Sequence, residues 1–290
     1  MLHNVLPPRL SHRLVAKMPW LDPVAEKMHA VFEPWLGQES PRGLRDALYG
    51  VWLGHPLHPA VILVPAGMWT ASIALDAVGE ETAADTTLLI GLVSAGAAAA
   101  TGAAQWQDLQ NEEKPNRIGT LHATLNVAAT LLYGASYVQR RRGNRGSGVT
   151  LAAAGFGLVN VSSWLGGDLA YDLGIGVNRT AFERGPDKWT DVLADADLPE
   201  KTAKRVDADG APVMLYRLDG EVLAISPTCS HLDGPLDEGD FDGDTVTCPW
   251  HKSVFCLRDG GVVHGPATSA QPTYDVQVEK GRISIRAHSE

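Results

Sequence analysis

The chain has 290 residues, 44% of them apolar, and carries 34 acidic against 24 basic side chains for a formal net charge of −10. That length allows two domains of ordinary size, the acidity argues against a nucleic-acid binder, whose phosphates need basic surfaces, and three cysteines are too few for a disulfide framework. An odd cysteine count points to a reducing compartment or to metal ligation.

Charge is unevenly spread. Residues 187–290 hold 19 acids against 10 bases, so about nine of the ten net negative charges lie there. Residues 1–186 are nearly neutral, and two bodies with different surroundings are expected. The opening MLHNVLPPRLSHRLVAKMPW has two prolines, several bases and no apolar core, and does not read as a secretory signal. Residues 1–48, with WLDPVAEKMHAVFEPWL, predict short amphipathic helices that either lie on a surface or form a soluble arm.

Four uncharged stretches follow at 59–75, 86–107, 118–139 and 146–167. Each approaches the roughly 20 residues that cross a bilayer. They are rich in Ala, Gly, Ser and Thr, the residues that let membrane helices pack closely. Tyr49, Trp52, Trp106, Tyr137 and Trp164 near their ends suit an interfacial belt. A soluble four-helix bundle is the alternative, but its wet face would show a charge every third or fourth position, and these stretches show almost none. Residues 49–178 therefore predict an all-α, four-helix transmembrane domain.

Four spans put the N-terminus, the second link and the C-terminal part on one side. Arg42, Arg45, Lys114, Arg117, Arg179, Arg184 and Lys188 on that side outnumber Arg140, Arg141, Arg142 and Arg145 opposite. This favours a multi-pass cell-membrane protein with cytoplasmic termini, although the dense arginine cluster pulls the other way. Antiparallel threading gathers His55, His58, Asp108, His122 and Asn126 at the face from which the C-terminal part emerges, with Asp76 alone at the other end. These histidines either cap helices or form a polar site for haem, a metal or a quinone, with His58 and His122 as ligands.

A polar link, residues 179–198, leads into a body with short strands at 213–218, 221–226, 244–249 and 283–288, separated by Asp-Gly, Glu-Gly and Lys-Gly turn signals. An all-β domain over 187–290 is expected. It contains CSHLDGPL, with Cys229 and His231, and CPWH, with Cys248 and His251, and sixteen residues lie between His231 and Cys248. Two thiolates and two imidazoles suit Zn²⁺ or an iron–sulfur cluster. A zinc finger usually pairs Cys with Cys and His with His on separate elements, whereas here each loop offers one of each. That suits a two-iron centre with both cysteines on one iron and both histidines on the other.

CSHLDGPL and CPWHKSVFCLRDGGVVHGPA resemble the two cluster-binding loops and the proline loop of the Rieske [2Fe–2S] family. The resemblance implies that Cys229 and Cys248 hold one iron, that His231 and His251 hold the other, and that Gly265, Pro266 and Ala267 cover the cluster. The extra cysteines of the respiratory members are replaced here by Gly234 and Trp250. Ser253 occupies the position of a hydrogen-bonding serine, but Phe255 stands where those members have a hydroxyl-bearing tyrosine, which implies a low potential. GHPLHP, the four spans and GGDLAYDLGIGV resemble the DUF2231 family of four-helix membrane proteins, which brings no established activity.

The expected function is single-electron transfer by a membrane-anchored Rieske protein, exchanging with a redox protein that bears a basic docking patch. With no second iron site of two His and a carboxylate, the chain reads as a component of an oxidoreductase system and not a complete oxygenase. A redox-sensing membrane protein is the alternative, and a zinc-bound structural module a more distant one.

Overall fold

The computed structural model describes residues 9–288. The ends of the N-terminal segment and of the β domain, residues 1–8 and 289–290, lie outside the described residues. Two compact units are present. Residues up to Ser40 group with Leu57–Ile175, and Pro41–Pro56 group with Gly176 onward.

Among the described residues the helices are α1 (Leu10–Val15), α2 (Leu21–Leu36), α3 (Arg42–Tyr49), α4 (His58–Val61), α5 (Leu63–Ala77), α6 (Glu81–Gln107), α7 (Glu113–Arg141) and α8 (Arg145–Tyr171). All but α3 belong to the first unit. Three segments, His58–Ala77 (α4 with α5), α6 and α8, are long and apolar enough to cross a membrane. The fourth predicted span lies in α7, which is too polar to join them: Thr120, His122, Thr124, Asn126 and Thr130 punctuate its first half. Yet α7 leaves Val127, Leu131 and Val138 exposed. Their spacing puts them on one helical face.

Small residues set how closely these helices approach. A Cβ on Gly91 would fall 2.4 Å from the Trp69 indole, which itself stacks on Tyr133 with ring centroids 4.2 Å apart. Charge closes one end of the bundle. The Arg140 side chain has no exposed surface and donates to Asp76 and Asp85, and Arg145 donates to the same two carboxylates. Asp76, alone in the sequence, is thus doubly paired. At the other end α2 buries Leu21, Ala25 and His29. The His29 ring stacks on Trp106 at 3.7 Å, its nitrogens meet Gln107 and Asn116 at 3.0 Å each, and Asp22 pairs with Arg117. The N-terminal helices are therefore held against α6 and α7 by specific contacts.

The second unit is a stack of three antiparallel sheets. Its strands are β1 (Thr190–Ala194), β2 (Ala203–Ala208), β3 (Ala211–Leu218), β4 (Glu221–Ile225), β5 (Asp240–Asp242), β6 (Thr245–Thr247), β7 (Val254–Cys256), β8 (Val262–His264), β9 (Tyr274–Glu279) and β10 (Arg282–Ala287). They pair as β1-β10-β9, β2-β3-β4 and β5-β6-β7-β8. Asp209-Gly210, Asp219-Gly220 and Lys280-Gly281 all have positive φ at both positions, as two-residue hairpin turns require. Glu238-Gly239 instead closes a 3₁₀ turn. The polar link contains β1, an edge strand with a bulge after Asp191, too short and irregular to show a two-residue period.

The middle sheet is buried on both faces. Val213 and Leu215 of β3, with Val222 and Ala224 of β4, enter a core with Ile283 and Ile285. The alternating residues Met214, Tyr216, Leu223 and Ile225 enter a second core with Cys229, Cys248 and Phe255. Strand alternation thereby gives the cysteine loops an apolar floor.

Arg140→Ala is expected to cost about 3 kcal/mol, because Asp76 and Asp85 lose their buried partner and are left to Arg145 alone. Thermal unfolding of the full chain against wild type measures it.

Candidate metal centre

The two cysteine loops have the same backbone construction. Each cysteine N–H donates to the carbonyl five residues on, Cys229 to Gly234 and Cys248 to Ser253, both at 2.8 Å. Four residues on, Asp233 and Lys252 sit at positive φ and donate their N–H back to the cysteine carbonyls at 3.0 and 3.1 Å. This turn aims the N–H groups of His231 and Leu232 at Cys229, and those of Trp250 and His251 at Cys248. Both sulfurs are buried and hydrogen-bonded to one another. That shared bond, chiefly, brings the Cys248 thiol down to about 7, with the amides helping against burial. It pushes Cys229 well up, in concert with burial.

The imidazoles of His231 and His251 stand edge to face with centroids 5.1 Å apart. Burial, then the charges of His251, Arg45 and Arg179, hold His231 well below the usual histidine range, so it is a neutral imidazole, the form that ligates a metal. A Cβ on Gly234 would lie 2.6 Å from the Cys248 sulfur. Among the described residues no three His, Cys, Asp or Glu side chains are placed to hold a single ion. Paired thiols, paired imidazoles and backbone donors aimed at sulfur fit a two-iron, sulfur-rich group.

A Rieske [2Fe–2S] family model matches residues 188–275, and a model of predicted membrane proteins, DUF2231, matches residues 54–179. The ferredoxin subunit of 3-phenylpropionate/cinnamic acid dioxygenase from Escherichia coli strain K12 is 44% identical over 92 residues, 31% of this chain and 85% of that protein. The same subunit from Shigella flexneri gives the same values. The chain belongs to the Rieske [2Fe–2S] family. Among solved structures, a complex of reduced oxygenase and oxidized ferredoxin of carbazole 1,9a-dioxygenase aligns at 31% identity over 36% of this chain and 99% of that one, with a TM-score of 0.34. The ferredoxin of carbazole 1,9a-dioxygenase from Nocardioides aromaticivorans IC177 aligns at 30% identity over 35% and 99%, also at 0.34.

The Rieske domain carries a Rieske-type [2Fe–2S] cluster, and several residues around its loops have roles that no motif announced. The buried Gln271 amide, turned so that both ends are satisfied, donates to the Thr228 carbonyl at 2.9 Å and accepts from the Ser230 N–H at 2.7 Å, pinning the first loop. Ser253, fully buried, accepts the Ala267 N–H at 3.0 Å and so ties the second loop to the proline loop, where the Gly265–Pro266 peptide is cis. Phe255 packs in the core beneath the cysteines. Cys256 is a half-buried free thiol on β7.

The residues of the predicted membrane site fall in both units. His55 belongs to the second, where its Nδ1 donates to the neighbouring Pro56 carbonyl at 3.0 Å. In the first unit, His58 bonds Thr101 at 3.1 Å. The His122 Nδ1 donates to the Ser162 carbonyl at 2.8 Å and Asn126 donates to its Nε2 at 3.1 Å, so both ring nitrogens are engaged. Asp108 is buried just past the end of α6.

Gly234→Ala is expected to abolish most cluster incorporation, because the new methyl collides with the Cys248 sulfur. Iron content and visible absorbance of the purified variant measure it.

Proposed function

We propose that this chain is a membrane-anchored Rieske ferredoxin. Cys229 and Cys248 hold one iron, His231 and His251 hold the other, and the observation that carries this is the pair of like-built loops bringing two buried sulfurs and two neighbouring imidazoles together. Bound there, the cluster accepts and releases one electron at a time.

The chain's residues prepare that exchange. Two backbone N–H groups aimed at each cysteine stabilise charge on sulfur, and a rigid frame of loop hydrogen bonds limits rearrangement when charge changes. Ser253 takes the Ala267 N–H on its oxygen, which leaves its own hydroxyl proton for a cluster sulfur. Phe255 has no proton to give, so the reduced state is less stabilised and the potential is low.

The first unit anchors the protein through four helices. Besides the three apolar helices, α7 turns Val127, Leu131 and Val138 outward, and Leu131 is 70% exposed. In water such surface is costly, whereas lipid accepts it. Arg42, Arg45, Lys114, Arg117, Arg179, Arg184 and Lys188 on the side of the termini outnumber Arg140, Arg141, Arg142 and Arg145 opposite, which supports cytoplasmic termini and a cytoplasmic Rieske domain. With both nitrogens of His122 engaged, the histidines of this unit act as interhelical hydrogen-bond partners. The acidic domain docks on a redox protein with a basic patch, and the dioxygenase ferredoxin relatives point to an oxygenase component as acceptor.

Protein purified anaerobically from membranes is expected to hold two irons per chain and give a reduced [2Fe–2S] EPR signal. Cys248→Ser and His251→Ala should each lose it, and full iron with an unchanged signal in either variant would overturn this ligand set. The midpoint should lie below roughly +200 mV on the Rieske scale. Ser253→Ala should lower it and Phe255→Tyr raise it, each by the worth of one hydrogen bond to a charged group, about 1.5–3 kcal/mol, read by EPR-monitored redox titration.

A further inference from the structure

Residues 41–53 lie outside both matched regions, which cover 54–179 and 188–275. They nevertheless fold as part of the second unit, and α3 with the turn after it seats against the proline loop. The Asp46 carboxylate accepts two hydrogen bonds there, from His264 Nδ1 and from the Gly265 N–H, each at 2.8 Å. The seating is close: a Cβ on Gly265 would meet Val51 at 2.9 Å. Tyr49, fully buried, turns toward the edge of the His231 ring with centroids 6.3 Å apart, and Arg45 lies over the Tyr49 ring at 5.5 Å. The proline loop is thus held at one end by Ser253, from the second cysteine loop, and at the other by Asp46, from a helix more than 200 residues away in sequence.

We propose that Asp46 is a positioning residue of the cluster site, fixing the proline loop through His264 and Gly265 and lowering the cluster's potential with its negative charge. This rests on the ligand assignment above. An anion held beside the loop that covers the cluster opposes the arrival of an electron, and its partly buried setting keeps solvent from screening that effect. Two hydrogen bonds fix the carboxylate, so its field acts from one place in both oxidation states. The single ordered acid at this position therefore does more than the many exposed acids of the domain, which water screens.

The test is EPR-monitored redox titration of the full-length protein and four variants. Asp46→Asn should raise the midpoint while the EPR line shape stays that of a [2Fe–2S] centre, and Asp46→Glu, which keeps the charge, should restore most of the wild-type value. His264→Ala, which removes one partner and leaves the charge less compensated, should move the midpoint the opposite way, and it serves as the second probe should Asp46→Asn take up no cluster. Asp191→Asn removes an equal charge from an exposed pair with Arg282 on β1 and should leave the midpoint in place. A midpoint unmoved by both Asp46→Asn and His264→Ala, or one moved as far by Asp191→Asn, overturns the inference and leaves the ligand assignment standing. A wild-type protein that binds no [2Fe–2S] cluster overturns the ligand assignment and this inference together.

Discussion

Two thiols buried in contact cannot both become thiolates unless something nearby repays the loss of water and the repulsion between them. The second unit is arranged around that constraint. Each cysteine begins a turn that closes on itself through its own N–H and carbonyl, and the closure leaves the next amides pointing at sulfur. The turns need Asp233 and Lys252 at positive φ and a glycine where Cys248 passes Gly234. The turns in turn need a floor, and the middle sheet supplies it by burying both of its faces. Sequence, turn and core are therefore one argument, and the pair of irons completes a charge balance that the polypeptide has half prepared.

The helical unit solves a different problem with similar economy. Its interior is built from glycines and alanines that let indole and phenol rings sit against backbone, while its outer surface carries valine and leucine. Its buried Arg140 is matched by two carboxylates from α5 and α6. Such a network is costly to desolvate, and it is tolerated because each donor has an acceptor of opposite sign. It also fixes which ends of α5, α6, α7 and α8 lie together, a job that small apolar residues do poorly because they pack equally well in several registers.

Much of the metal centre was legible because its information is local. Cys229 with His231, and Cys248 with His251, sit within single turns, and short-range spacing survives in a string of letters. The hairpin turns were legible for the same reason, since an Asp-Gly pair states its own backbone conformation. What could not be read was anything held across distance. Asp46 looks like one more surface acid on a short helix, and nothing near it in sequence mentions His264. Asp76 looked unpaired because its partners, Arg140 and Arg145, lie 64 and 69 residues on in α7 and α8, and β1 looked like linker because an edge strand with a bulge has no period to show. The polarity of α7 misleads in the opposite direction: its threonines bond their own helix backbone, Asn126 bonds His122 and His122 bonds Ser162 of α8, so a helix that reads as polar still turns an apolar face out.

The redox domain is discontinuous: residues 41–56 belong to it, 57–175 do not, and 176 onward do again. The points where the chain leaves and returns are neighbours, since a Cβ on Gly176 would touch Pro56 at 3.6 Å. This has a consequence for the order in which the protein is made. His264 follows Asp46 by 218 residues, so at roughly 5–20 residues per second the ribosome delivers it about ten to forty seconds later. Helices α4 to α8 emerge in that interval. The cap over the proline loop is thus among the last parts of the redox domain to close, although its residues are the first of that domain to be synthesised.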